Sequence, residues 1–201
     1  MSQAFQAALG MWLGMTFLMM MPVVAPWIRA LAHLNRAQDG GGGAPVPMFA
    51  AGYAVAWAAF SVSAATAQTG LASIGASVPL LRSAPAAAGV SLLLVGSYQF
   101  TSLKDACLSH CRSPMGFFLT GWRPGPTGGL VMGLRHGFLC LGCCWALMAL
   151  ALVIGLADFR WMAMLMAVMV LETTAVGGGR LAHPIGVALA LAGLGILLVG
   201  R

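Results

Sequence analysis

The chain has 201 residues, 60% of them hydrophobic and only 7% charged, with a formal net charge of +6. An ordinary soluble domain carries roughly 25% charged residues, so this composition excludes a water-covered globule and points to lipid as the solvent, as does a mean hydropathy of +0.92. The ten Lys and Arg are scattered between apolar runs rather than gathered into an aromatic-interleaved basic stripe, which excludes nucleic acid as a partner.

In chain order, the first apolar segment is about residues 6–28, and no charge occurs between Met1 and Ile28. It lacks a basic leader and a small-residue cleavage motif, so it reads as a membrane span rather than a removable signal. Gly40 to Gly43, Pro45 and Pro47 predict a loop. The second span is about 48–69, within an uncharged run from Met48 to Leu81. A third, about 84–101, follows the breaks at Pro79, Arg82 and Pro85. The polar stretch from Lys104 to Thr127 comes next. Within it Ser113-Pro114 ends one helix, Phe117, Phe118 and Trp122 form an amphipathic patch, and Arg123-Pro124-Gly125-Pro126 breaks the chain again. This predicts an interfacial helical hairpin. The fourth, fifth and sixth spans are about 129–155, 159–176 and 183–200.

The expectation is therefore an all-α fold: a single integral membrane domain over 1–201, a bundle of six transmembrane helices with the hairpin between the third and fourth. Stretches of about 18 or more apolar residues are long enough to cross a bilayer. Small-residue runs such as Ala50-Ala51-Gly52 and Ala190 to Gly195 allow close helix packing. Arg29, Arg36, Lys104, Arg112, Arg123, Arg135 and Arg180 fall on one side of this map, and Arg82, Arg160 and Arg201 on the other. The excess of positive charge predicts a cytoplasmic third connection, with both termini outside.

The residues that carry chemistry collect on that cytoplasmic side. Cys107, His110 and Cys111 stand at i, i+3 and i+4, so a helix puts them on one face. His136, Cys140, Cys143 and Cys144 form a second stripe at i, i+4, i+7 and i+8. Facing each other, the stripes offer enough thiolate and imidazole groups for a closed metal site, provided the fourth span lies against the Cys107 to Cys111 segment. Soft ligands suit Cu(I), and a Cys/His set equally suits Zn(II). Met20 and Met21 in the Met19 to Met21 run favour copper, and Glu172 is a further candidate ligand. Plainer readings stand beside these. The methionines serve equally well as core fillers and Cys143 and Cys144 as small packing residues. His110 reads also as a solvated loop residue, and Glu172 as a partner for Arg180 or His183.

Five cysteines, two of them adjacent in an apolar run, do not form a secreted disulfide framework. The leading function is metal handling through these ligands, by binding, delivery or transport. A membrane thiol redox protein using Cys107 and Cys111, or Cys140 and Cys143, is an alternative, although a CxxC inside an apolar helix lacks the electropositive setting that activates a thiolate. An accessory subunit of a larger membrane complex, with a membrane or soluble protein partner, is another. No nucleophile motif supports a hydrolase, and the reading leans away from an enzyme.

The motifs Tyr98-Gln99-Phe100-Thr101, Cys107-Leu108 to Cys111-Arg112-Ser113-Pro114, Trp122-Arg123-Pro124-Gly125, Gly133-Leu134-Arg135-His136-Gly137 and Cys140-Leu141-Gly142-Cys143-Cys144-Trp145, with Met20-Met21-Pro22, resemble a bacterial family of predicted metal-binding integral membrane proteins, a domain of unknown function. The resemblance covers nearly the whole chain. It implies a metal ion and a bacterial inner membrane, and it places the motif on Cys107, Cys111, His136, Cys140, Cys143 and Cys144. It implies no particular reaction.

Overall fold

A computed structural model describes residues 2–39, 44–75, 80–154, 159–175 and 177–199. The described residues are all-α, in the order α1 (Gln3–Asp39), α2 (Pro45–Ser73), α3 (Leu80–Ser83), α4 (Pro85–Tyr98), α5 (Ser102–Cys111), α6 (Pro114–Gly121), α7 (Gly125–Ile154), α8 (Phe159–Thr174) and α9 (Ala182–Val199), with a 3₁₀ turn at Gly178–Leu181 before α9.

Prolines start the helices as well as separate them. Pro45, Pro85 and Pro114 open α2, α4 and α6, where the missing N–H would have lacked an intrahelical acceptor in any case. The expected loop around Pro45 and Pro47 is therefore the first turn of α2. Pro22 and Pro26 lie inside α1 without ending it. Gly125 takes a positive φ of 76° at the start of α7, a conformation open to glycine, so that helix begins four residues ahead of the expected 129. The third expected span is shortened to α4. The chain turns after Tyr98, and the Thr101 side chain accepts a hydrogen bond from the Lys104 backbone N–H to cap a new helix, α5.

Among the described residues, four helical stretches are long and apolar enough to cross a bilayer: Gln3–Ala37, Pro45–Ser73, Gly125–Val153 and Gly179–Val199. The pair α4 and α5, bent by 64°, would make a fifth if it forms one broken span. α8, with 16 residues, is shorter.

Missing side chains set the closest contacts. α2 and α7 run parallel, with Pro45 over Gly129, Phe49 over Gly133 and Ala56 over Gly137. A Cβ on Gly133 would come 2.0 Å from the Phe49 carbonyl oxygen. α4 and α9 run antiparallel, Gly89 meeting Gly193 and Gly96 meeting Gly186. α1 lies antiparallel to α2, joined by Trp12 Nε1 donating to Gln68 Oε1 at 2.8 Å and Ser61 Oγ to Thr16 Oγ1 at 3.3 Å. The hairpin of α5 and α6 closes one end of the bundle. α5 lies along α7, while Phe117 and Phe118 of α6 meet the Trp27 ring of α1 edge-on.

A polar lock fastens α5 to α8. Lys104 is completely buried and its ammonium lies 3.0 and 2.9 Å from the two carboxylate oxygens of Glu172, while also donating to Gln99 Oε1. Arg112 adds bonds to the carbonyl oxygens of Glu172 and Ala175 at the end of α8, at 2.7 and 2.8 Å. The sequence suggested Arg180 or His183 as the partner of Glu172; the structure corrects this to Lys104, which the turn before α5 brings inward.

Candidate metal centre

Both cysteine stripes meet where α5 crosses α7. Cys111 ends α5 and packs inward, and Cys140 and Cys143 lie three residues apart on the facing side of α7. Their three sulfur atoms all lie within 4.8 Å of one another, and all three residues are buried. Cys111 Sγ is 3.6 Å from Cys143 Sγ. Cys143 Sγ is 3.1 Å from the Cys140 carbonyl oxygen and 3.3 Å from Cys144 Sγ. Cys144 borders the group without belonging to the trio. All five cysteines are free thiols.

Cys107 lies one turn before Cys111 and rests on Gly142. A Cβ there would sit 2.5 Å from the Cys107 sulfur. The glycine between Cys140 and Cys143 thus lets the two helices approach closely enough for the thiols to meet. Tyr98 reinforces this point by donating its hydroxyl to the Gly142 carbonyl.

His136 is fully buried one turn before Cys140, inside an aromatic box. The Trp27 ring stacks on it at 3.7 Å between centroids and 24° between planes. Tyr53 and Phe49 lie nearly parallel at 5.4 and 5.8 Å, and Phe117 meets it edge-on at 6.1 Å. Neither imidazole nitrogen has a hydrogen-bond partner among the described residues. A buried polar group is normally satisfied, so this imidazole stands out among the buried residues described. The same box holds Tyr53 so that its hydroxyl lies 3.4 Å from Cys140 Sγ.

The remaining candidates lie apart from the thiol group. His110 is exposed, with Nδ1 2.8 Å from the Ala106 carbonyl oxygen; it lines an outer groove with Arg135. Although it shares α5 with Cys107 and Cys111, it does not share their inward face. Met19 and Met20 are buried in the core, whereas Met21 is 66% exposed on the outer side of α1. Both carboxylate oxygens of Glu172 are held by Lys104.

Sequence reasoning did not single out Trp27, Tyr53, Tyr98, Gln99, Lys104 or Gly142 as parts of this site. Gly142 had a signal, since it lies between two expected ligands. Tyr98 and Gln99 had one in the family motif that contains them, whereas Trp27 and Tyr53 had none, because in an apolar span they resemble ordinary core.

A buried thiolate is costly unless a positive charge compensates it, and a bound cation supplies that charge as the thiols release protons. Three sulfurs within 4.8 Å of one another suit a soft ion. Cys111 also lines a cavity of about 200 Å³ together with Trp27, Arg112 and Thr173. Among the three grouped cysteines, Cys111 alone borders it.

An all-α chain built around a buried thiol group points to metal handling. Residues 9–196 match the model of the family described as PpoB2, copper chaperone, and the chain belongs to that family. No curated protein and no solved structure matches the chain.

Proposed function

We propose that this protein is a multi-pass copper chaperone of a bacterial inner membrane that carries Cu(I) on Cys111, Cys140 and Cys143 and passes it to a protein partner. The observation that carries the reading is the meeting of three buried sulfurs from two helices within 4.8 Å. Cys144 is placed to take a share of the ion during transfer, being 3.3 Å from Cys143. His136 supplies a reserve nitrogen donor one turn before Cys140, its imidazole without a hydrogen-bond partner among the described residues. Copper is preferred to zinc because the grouped donors are sulfur and the family is described as a copper chaperone.

The ion is cargo in this account, so the protein's own residues have to admit and release it. Cys111 borders the cavity and also belongs to the thiol group, which makes it the first and last sulfur on the route. Arg112 holds that end of α5 to α8, keeping the cavity mouth in shape.

The membrane reading rests on the four long apolar helices and on their directions. α1 and α2 are antiparallel, α2 and α7 parallel, and α4 and α9 antiparallel, as alternating passes of one chain require. On this reading α8 is the fifth of six spans, the α5–α6 hairpin lies at the cytoplasmic interface, and both termini lie outside.

The test is anaerobic Cu(I) titration of detergent-extracted protein against a chromogenic chelator, with Zn(II) as competitor. Tight binding of Cu(I), undisturbed by Zn(II) and lost in Cys111→Ser and Cys143→Ser, is the expected result. Preferential retention of Zn(II) would overturn the copper assignment.

A further inference from the structure

A second, larger cavity of about 580 Å³ lies further along α7, beyond the thiols. Its walls come from four helices: Leu147, Leu150 and Val153 of α7, Leu92 of α4, Trp161 to Val168 of α8, and Ile185 to Ile196 of α9. The α9 wall spans three turns, ~16 Å at 1.5 Å per residue. Every lining side chain is apolar except Arg82. That residue is exposed on the short helix before α4, and its guanidinium makes no hydrogen bond or ion pair among the described residues. The cavity arises because α8 packs on α1 and on the turn before α9 rather than closely along α4 and α9.

We propose that this slot holds one acyl chain of an anionic phospholipid, with the lipid phosphate on Arg82. The volume falls within the ~300–1,000 Å³ typical of small-molecule sites, and the length and apolar lining fit an extended hydrocarbon chain. An unfilled apolar space of this size would forfeit dispersion contacts along all four walls. The charge argument selects the headgroup: a guanidinium with no partner among the described residues, at the rim of an apolar slot, matches a phosphate in chemistry and geometry. Trp161, 42% exposed, supplies the amphipathic ring expected where a lipid headgroup meets its tail. The lipid would wedge α8 against the rest of the bundle and so support the helix that carries Glu172.

The inference rests on the membrane reading, and the experiment separates the two. Detergent-extracted full-length protein is stripped of lipid, then offered phosphatidylglycerol or phosphatidylcholine and followed by native mass spectrometry and thermal unfolding. One retained phosphatidylglycerol per chain is expected, with a Tm rise of several degrees and weaker retention of phosphatidylcholine. Arg82→Gln should weaken retention about tenfold, and Ala192→Trp, which fills the slot, should abolish it. Ala188→Phe serves the same purpose should Ala192→Trp fail to fold, and Cu(I) binding reports that each variant is intact. Lipid adducts indifferent to both changes, or none at all, would overturn the proposal, as would a second copy of the chain cross-linked through Trp161. Recovery of the chain in the soluble fraction of cells would instead end the membrane reading on which it rests.

Discussion

Gly142 shows how closely the site depends on single atoms. It separates two cysteines of the thiol group, and the Cys107 sulfur fills the space where its side chain would be. Gly142→Ala is therefore expected to push α5 off α7, lowering Cu(I) affinity and raising the reactivity of Cys107 toward maleimide. Gly14→Ala, in a position with open space around it, should change neither. Serine in place of Cys111, Cys140 or Cys143 should each cost at least ~10-fold in affinity, equivalent to ~1.4 kcal/mol, while Cys144→Ser should cost less because its sulfur lies outside the trio that gathers within 4.8 Å. Chelator competition with the purified variants checks the ranking. At this scale the cysteines were legible from their spacing, since i, i+3 and i+4 relations survive any packing of the helices. The separation of His110 from Cys111 was not. A helix face is broad, and only the approach of α7 decides which side of it is buried. Nor was the aromatic box around His136 legible, because it draws on rings from α1, α2 and α6.

At the scale of elements, two kinds of joint hold the centre. The α2–α7 joint is made by Gly129, Gly133 and Gly137, spaced four apart along one face. Gly133→Val would drive a side chain into the Phe49 backbone, and loss of the folded protein from the detergent extract is the expected readout. The α5–α8 joint is the buried Lys104–Glu172 pair at 2.9 Å. Removing one partner leaves a buried charge uncompensated, at a cost of ~3–5 kcal/mol. Lys104→Met should thus lower Tm strongly, and Lys104→Met with Glu172→Leu should recover much of the loss. A double variant no better than the single one would contradict this account of the joint. The helix boundary at Ser113-Pro114 was legible in the sequence, whereas Pro45 and Pro126 stand in the first turns of α2 and α7; the small-residue packing was legible too. The lock was not. Lys104 reads as a loop cation contributing to the charge asymmetry, and it is buried only because the chain turns at Gln99 and Phe100 and re-enters as α5.

For the molecule as a whole, hydropathy alone carried the all-α architecture and the positions of the apolar helices. It could not settle how the shorter ones, α4 and α8, are used, because their length depends on local caps and turns rather than on composition. The proposed arrangement puts the thiol group, the hairpin and the Lys104 lock together at the cytoplasmic end, with Arg82 and its cavity at the opposite end. Reporter fusions at residue 40 and at the C-terminus test it, with cytoplasmic activity expected at the first and external activity at the second.

The most direct test of the central claim is the copper content of the purified protein, measured by elemental analysis after anaerobic loading, beside a Cys111, Cys140 and Cys143 to Ser variant. About one copper per chain is expected in the wild type, with almost none in a variant that keeps its helical circular dichroism and its Tm. Equal copper in the two proteins would contradict the assignment of the ion to these three sulfurs.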